Sequence, residues 1–145
     1  MASRNYTEWS RFLSLLPQTT IAAAVTAVVT TPVTQLAGVR ELMMQAQFLY
    51  GSWGTTAKAW VQTSFDGGTT WVDVACFSFT TAAATKISAV KTFTAVAAAY
   101  VATDGTLTAD TIKDGLIGDQ VRVKYTTTGT YAGATSLTVT AVAKG

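Results

Sequence analysis

The chain predicts an all-β fold, an antiparallel β-sandwich or small barrel of jelly-roll or immunoglobulin-like kind, with one short amphipathic helix at the N-terminus. Three observations predict it. Apolar and polar residues alternate with a period of two, most cleanly where Val121, Val123 and Tyr125 interleave with Gln120, Arg122 and Lys124. Turn residues punctuate the chain, with Asp104-Gly105, Asp114-Gly115 and Gly118-Asp119 in one stretch alone. Finally, Trp60–Phe79, WVQTSFDGGTTWVDVACFSF, sets two runs rich in Val, Phe and Trp on either side of Asp66-Gly67-Gly68-Thr69, a strong hairpin signal. Together these give about seven or eight strands in one domain.

Taken in order, Met1–Leu16 differs from everything after it. Tyr6, Trp9, Phe12, Leu13 and Leu16 recur at helical spacing, with Thr7 placed to cap and Pro17 to stop the run. A helix of about ten residues is marginal alone in water, so its aromatic stripe needs a partner surface. The division expected is a helical arm over residues 1–18 and a single sandwich domain over 19–145. From Thr20 the period changes to two, and Ile21, Ala23, Val25, Ala27 and Val29 share one strand face up to Thr31-Pro32. Leu42, Met44, Ala46, Phe48 and Tyr50 form the next strand, closed by Gly51, and a loop with Trp53 at its tip follows.

In the central hairpin Gly67 and Gly68 allow positive φ, and the Asp66 carboxylate is short enough to accept N–H groups of its own turn. Trp60 and Trp71 are placed to pack across the hairpin as a cross-strand pair. Thr80–Lys86 is then a small-residue loop and Ile87–Phe93 a weaker strand. Thr94–Val101, TAVAAAYV, fits strand or helix equally by pattern, and Asp104–Asp119 is turn-rich. After the strand at Val121–Tyr125, Gly129–Gly133 turns the chain and Leu137, Val139 and Ala141 line one face of the last strand.

Composition narrows the function. Charged residues make up 12% of the chain, against about 25% in ordinary globular domains. Thr and Ala fill the gap. Such depletion suits a surface that lies against other subunits, where isolated charges are costly to desolvate. The net charge is +2 and its ten basic residues are scattered, so direct nucleic-acid binding is not expected. Thr19–Val29 is too short and Thr-studded to span a bilayer, and no positively charged start leads directly into an apolar signal segment. The single Cys76, in the apolar run Val74–Phe79, reads as a buried free thiol in a reducing compartment.

The chain has no His, which removes the commonest general base and metal ligand. Asp66 is taken by its turn, and Asp104, Asp110, Asp114 and Asp119 sit in turn contexts whose spacing matches no calcium loop. Asp73 and Glu41 read as solvated strand ends rather than paired catalytic acids. No catalytic residue, metal or cofactor is therefore expected. A carbohydrate platform built from Tyr50, Trp53, Trp60 and Trp71 is an alternative use of the aromatics.

Two resemblances add to this reading. Ser64, Asp66, Gly68 and Trp71 match S-x-D-x-G-x-x-W, so the hairpin resembles the Asp-box of sialidases and other secreted β-proteins, a device that holds a turn without doing chemistry. The stretches VQTSFDGGTTWVDVACFSFTT (Val61–Thr81) and VRVKYTTTGTYAGATSLTVTAVAKG (Val121–Gly145) are similar in style to the small structural proteins of tailed bacteriophage virions. That likeness implies a capsid decoration (cement) protein, usually a homo-trimer, seated on the major capsid protein of a virion assembled in the host cytoplasm. A tail-tube or head–tail completion protein, forming a homo-hexamer ring with other virion subunits, is the alternative, and a carbohydrate-binding module the second. The interface residues implied are Tyr6, Trp9, Phe12, Leu13, Leu16 and Trp53.

Overall fold

A computed structural model describes residues 9–145. Ten strands run in chain order: β1 (Ser10–Thr20), β2 (Val25–Val29), β3 (Glu41–Leu49), β4 (Ser52–Trp53), β5 (Thr56–Ser64), β6 (Val72–Phe79), β7 (Ala84–Lys91), β8 (Gln120–Thr128), β9 (Tyr131–Ala132) and β10 (Ser136–Lys144). Eight of them form two four-stranded antiparallel sheets, β1-β10-β3-β7 and β2-β8-β5-β6, and β4 pairs with β9 in a small third sheet. The expected all-β antiparallel sandwich is present. Segments 21–24, 50–55, 80–83 and 129–135 gather at one end, and 30–40, 65–71 and 92–119 at the other.

The period-two pattern supplies the core. Met44, Ala46 and Phe48 of β3 and Leu137, Val139, Ala141 and Ala143 of β10 face Ala57, Ala59 and Val61 of β5 and Val121 and Val123 of β8 in one buried cluster. Many of these residues are alanines, so part of the Ala excess serves close packing between the sheets. Phe48 is stacked on Phe79 at 5.1 Å between ring centroids and edge-on to Tyr131 at 5.5 Å. The Tyr131 hydroxyl donates to the Thr80 carbonyl at 2.7 Å, which satisfies its one polar atom.

The helical arm is the main correction. From Ser10 onward the chain is strand, paired with β10 from Ser10↔Lys144 to Thr20↔Ser136, so the expected boundary at residue 18 falls inside β1. Tyr6 lies outside the described residues. The helical spacing had a different origin: a register shift between Ser14 and Leu16 lets Leu15 and Leu16 both point inward alongside Leu13. The bulge breaks simple alternation and mimics an i, i+3 repeat. Pro17, read as a helix stop, sits in a second irregularity between Leu16 and Thr19 on an edge strand, where its missing N–H costs no ladder bond.

Smaller differences follow the same logic. Regular structure in the second strand begins at Val25 rather than Thr20, and Ala27 adopts a left-handed φ of 54° within it. The ambiguous Thr94–Val101 run is neither strand nor helix; it belongs to a long irregular segment, 92–119, between β7 and β8.

Candidate interaction surfaces

The two outer faces of the sandwich are treated differently. On β2-β8-β5-β6, the outward side chains Trp60, Gln62, Asp73, Arg122 and Lys124 lie under or beside the 92–119 segment. The Asp73 side chain is the clip. It is 0% exposed, and its carboxylate accepts the main-chain N–H groups of Gly105 at 2.9 Å, Thr106 at 3.0 Å and Leu107 at 3.1 Å. Gln62 donates to Asp73 at 2.8 Å and to Asp104 at 2.6 Å, and accepts from Arg122 Nε at 2.8 Å. Trp60 Nε1 donates to the Leu107 carbonyl at 3.0 Å. Asp73 is thus an anchor and not a solvated strand end. Its place between Val72 and Val74, inside an apolar strand, is the sequence signal that could have marked it and was passed over.

At the margin of this network Asp104 pairs with Lys124 at 2.7 Å. Burial opposes its ionisation, but the hydrogen bonds from Lys124 and Gln62 and the nearby Lys124 and Arg122 charges outweigh that, leaving its pKa below the usual carboxylate value. The same balance holds Asp110 low through Lys86 and the Ser78 N–H, and Asp114 low through the Lys91 N–H, Thr94 and the Gly115 N–H. Among the described residues no group of three or more acidic or thiol side chains is placed to hold a metal ion. Asp104, Asp110 and Asp114 are dispersed over separate anchoring jobs.

The 65–71 hairpin turn is closed by its own side chains. Ser64 Oγ donates to Asp66 Oδ1 at 2.9 Å and accepts from the Gly68 N–H at 2.8 Å. Asp66 Oδ1 also accepts the N–H groups of Thr69 and Thr70, at 3.1 and 2.8 Å, and Trp71 Nε1 donates to the Gly68 carbonyl at 3.0 Å. Gly67 and Gly68 take φ of 74° and 96°. The expected Trp60–Trp71 pair does not form. Trp60 opposes Cys76 across β5 and β6, well along the ladder from Trp71, which sits at the turn before β6, while the Arg122 guanidinium lies 4.2 Å from the Trp71 ring centre in a cation–π contact.

The other outer face, on β1-β10-β3-β7, carries no such cover from the 92–119 segment. Its side chains fall in cross-strand rows. One row is Phe12–Val142–Met43–Ala89, the next Ser14–Thr140–Gln45–Ile87, and a third Thr138–Gln47–Thr85. None of these residues is ionisable. Among the described residues of these rows, charge appears only in the last, Ser10–Lys144–Glu41–Lys91, at one end. Phe12 is 67% exposed and Ile87 69% exposed on this face.

The sequence-derived interface residues are therefore divided. Phe12 belongs to the bare face. Leu13 and Leu16 are core residues, and Trp9 is part-exposed at the start of β1, its carbonyl accepting the Gly145 N–H at 3.2 Å. Trp53 lies at the opposite end, 73% exposed, with φ 62° and its carbonyl held by the Tyr50 hydroxyl at 3.1 Å. The four-ring platform is not assembled: Trp60 and Trp71 are buried away from Tyr50 and Trp53. Ile87, Met43 and Val142 were missed because local sequence shows that a residue faces outward, not which outward residues become neighbours.

No family model, curated protein or solved structure matches the chain.

Proposed function

We propose that this chain is a structural virion protein of the capsid decoration kind, binding the outside of a phage head through the bare face of β1-β10-β3-β7. The observation that supports the contact is the charge-free array of Phe12, Val142, Met43, Ala89 and Ile87 framed by Ser, Thr and Gln rows. Sheet rows without ionisable groups bury against a partner without leaving charges unpaired. The likeness of Val61–Thr81 and Val121–Gly145 to small virion proteins supplies the setting. We read the strand order β1-β10-β3-β7 over β2-β8-β5-β6 as that of a jelly roll, an architecture common in capsid and lectin domains. With no His in the chain, the reading is of a binding and stabilising protein rather than an enzyme.

The test is imaging of purified particles by cryo-electron microscopy, with and without Phe12→Lys. Density on the shell, lost or thinned in the variant, supports the proposal. Density along the tail moves the chain to the tail-tube or completion class, and a chain absent from particles rejects the virion reading.

A further inference from the structure

Of the four edge strands in the two sheets, three are blunted. β1 carries Pro17 and two register irregularities. β2 has five residues, a register shift and a left-handed Ala27. β6 is covered by the 92–119 segment, whose Thr111 carbonyl accepts the Cys76 N–H at 3.0 Å while the Lys113 N–H reaches Val74 O at 2.8 Å. β7 differs. Its pairing with β3 runs without a bulge from Glu41↔Lys91 to Phe48↔Ala84.

The hydrogen-bonding phase of β7 follows from two contacts. The Thr92 N–H bonds to Arg40 O at 2.8 Å, so the even-numbered residues face β3, and the Lys91 N–H points the other way, to Asp114 Oδ1 at 2.7 Å. Thr85, Ile87 and Ala89 therefore direct their N–H and C=O groups outward, and among the described residues nothing takes those N–H groups. A regular edge with free alternate donors and acceptors is a template for another strand.

We infer that β7 pairs antiparallel with β7 of a second copy about a two-fold axis at Ile87, joining the two β1-β10-β3-β7 sheets into one continuous sheet. The register is self-complementary. Ile87 opposes Ile87 of the second copy, Thr85 opposes Ala89, and Lys86 opposes Ser88, so no like charges meet. The ladder supplies about six main-chain hydrogen bonds. Lys86 is already neutralised by Asp110 at 2.9 Å, which removes the one charge pair near the axis. On the inner side of the edge, a groove of about 470 Å³ between Lys86–Ser88 and Asp110, Ile112 and Cys76 leaves room for the second copy's Lys86 and Ser88. The contact is two-fold, so it is distinct in mass from the trimer implied for a decoration protein, and it stands whether or not the virion reading does.

The purified full chain is measured by sedimentation velocity across a concentration series, beside Ile87→Lys. A dimer whose dissociation constant rises by about tenfold or more in Ile87→Lys is expected, since two lysines then face each other across the axis. Register is tested by mild oxidation of cysteine variants. Ile87→Cys should cross-link to its own copy, Thr85→Cys alone should not, and Thr85→Cys with Ala89→Cys should. A strict monomer, a trimer or hexamer, a dimer indifferent to Ile87→Lys, or cross-linking by Thr85→Cys alone overturns the inference.

Discussion

The Gly105 main-chain N–H lies 2.9 Å from both carboxylate oxygens of Asp73, a residue thirty-two positions earlier on β6. With the Thr106 and Leu107 N–H groups and the Gln62 amide, it turns a buried acid into the peg on which the 92–119 segment hangs. A fully buried carboxylate is tolerable only with such a set of donors.

Removing that peg strands the donors. Asp73→Ala should lower stability by on the order of 3 kcal/mol or more, since hydrogen bonds to a charged group are worth about 1.5–3 kcal/mol each. Asp73→Asn should also destabilise, because either rotamer turns an NH₂ group toward N–H donors. Thermal melts measure the loss, and limited proteolysis between residues 92 and 103 should accelerate. Unchanged cleavage there would mean that the clip is dispensable.

The reassignment of the N-terminal stripe makes a paired prediction. Leu15 is 2% exposed in the core, so Leu15→Ala should cost about 2–5 kcal/mol. Phe12→Ala, on the bare face, should change the stability of the isolated protein by only about 0.5 kcal/mol. Chemical denaturation of both variants decides it; equal losses would contradict the strand phase of β1.

Acid should unfold the protein through its anchoring aspartates. Asp66 is held low chiefly by the Thr70 N–H, and Asp104, Asp110 and Asp114 by partners that overcome burial. A carboxylate whose folded pKa is depressed contributes stability that is fully present above its unfolded value of about 3.9 and is lost as pH falls through the lower folded value. Urea midpoints should therefore decline below about pH 4. A midpoint that rose on acidification would contradict the assignment.

Burial pushes the Cys76 thiol up to about 11. At pH 8 it should be almost wholly protonated and shielded, and a thiol reagent should label it only after denaturant is added. Rapid labelling of the native protein would show that the groove beside Lys86 opens to the thiol.

The Gly54 turn offers a local test. Gly54 has φ 76° and packs so closely on the Tyr131 ring that an added Cβ would overlap it. Gly54→Ala should destabilise by more than about 1 kcal/mol, through both strain and displacement of Tyr131. A melting temperature equal to that of the parent chain would rule this out.

Local pattern carried much of the architecture. The strands at β3, β8 and β10 were legible because alternation over a few residues reports one buried face, and the hairpin between β5 and β6 because Asp66-Gly67-Gly68 can reverse a chain within its own turn. Low charge and the lack of His were likewise readable without any fold. The rest was settled only in three dimensions. β1 is a strand because it pairs with β10 at the far end of the chain, and its bulge disguised that alternation as a helical repeat. Asp73 became an anchor only when residues 105–107 arrived over it, and the Phe12–Val142–Met43–Ala89 row exists only where three antiparallel registers align. Periodicity records which side of the backbone a residue takes; which distant strand lies beside it depends on closing long loops around one core.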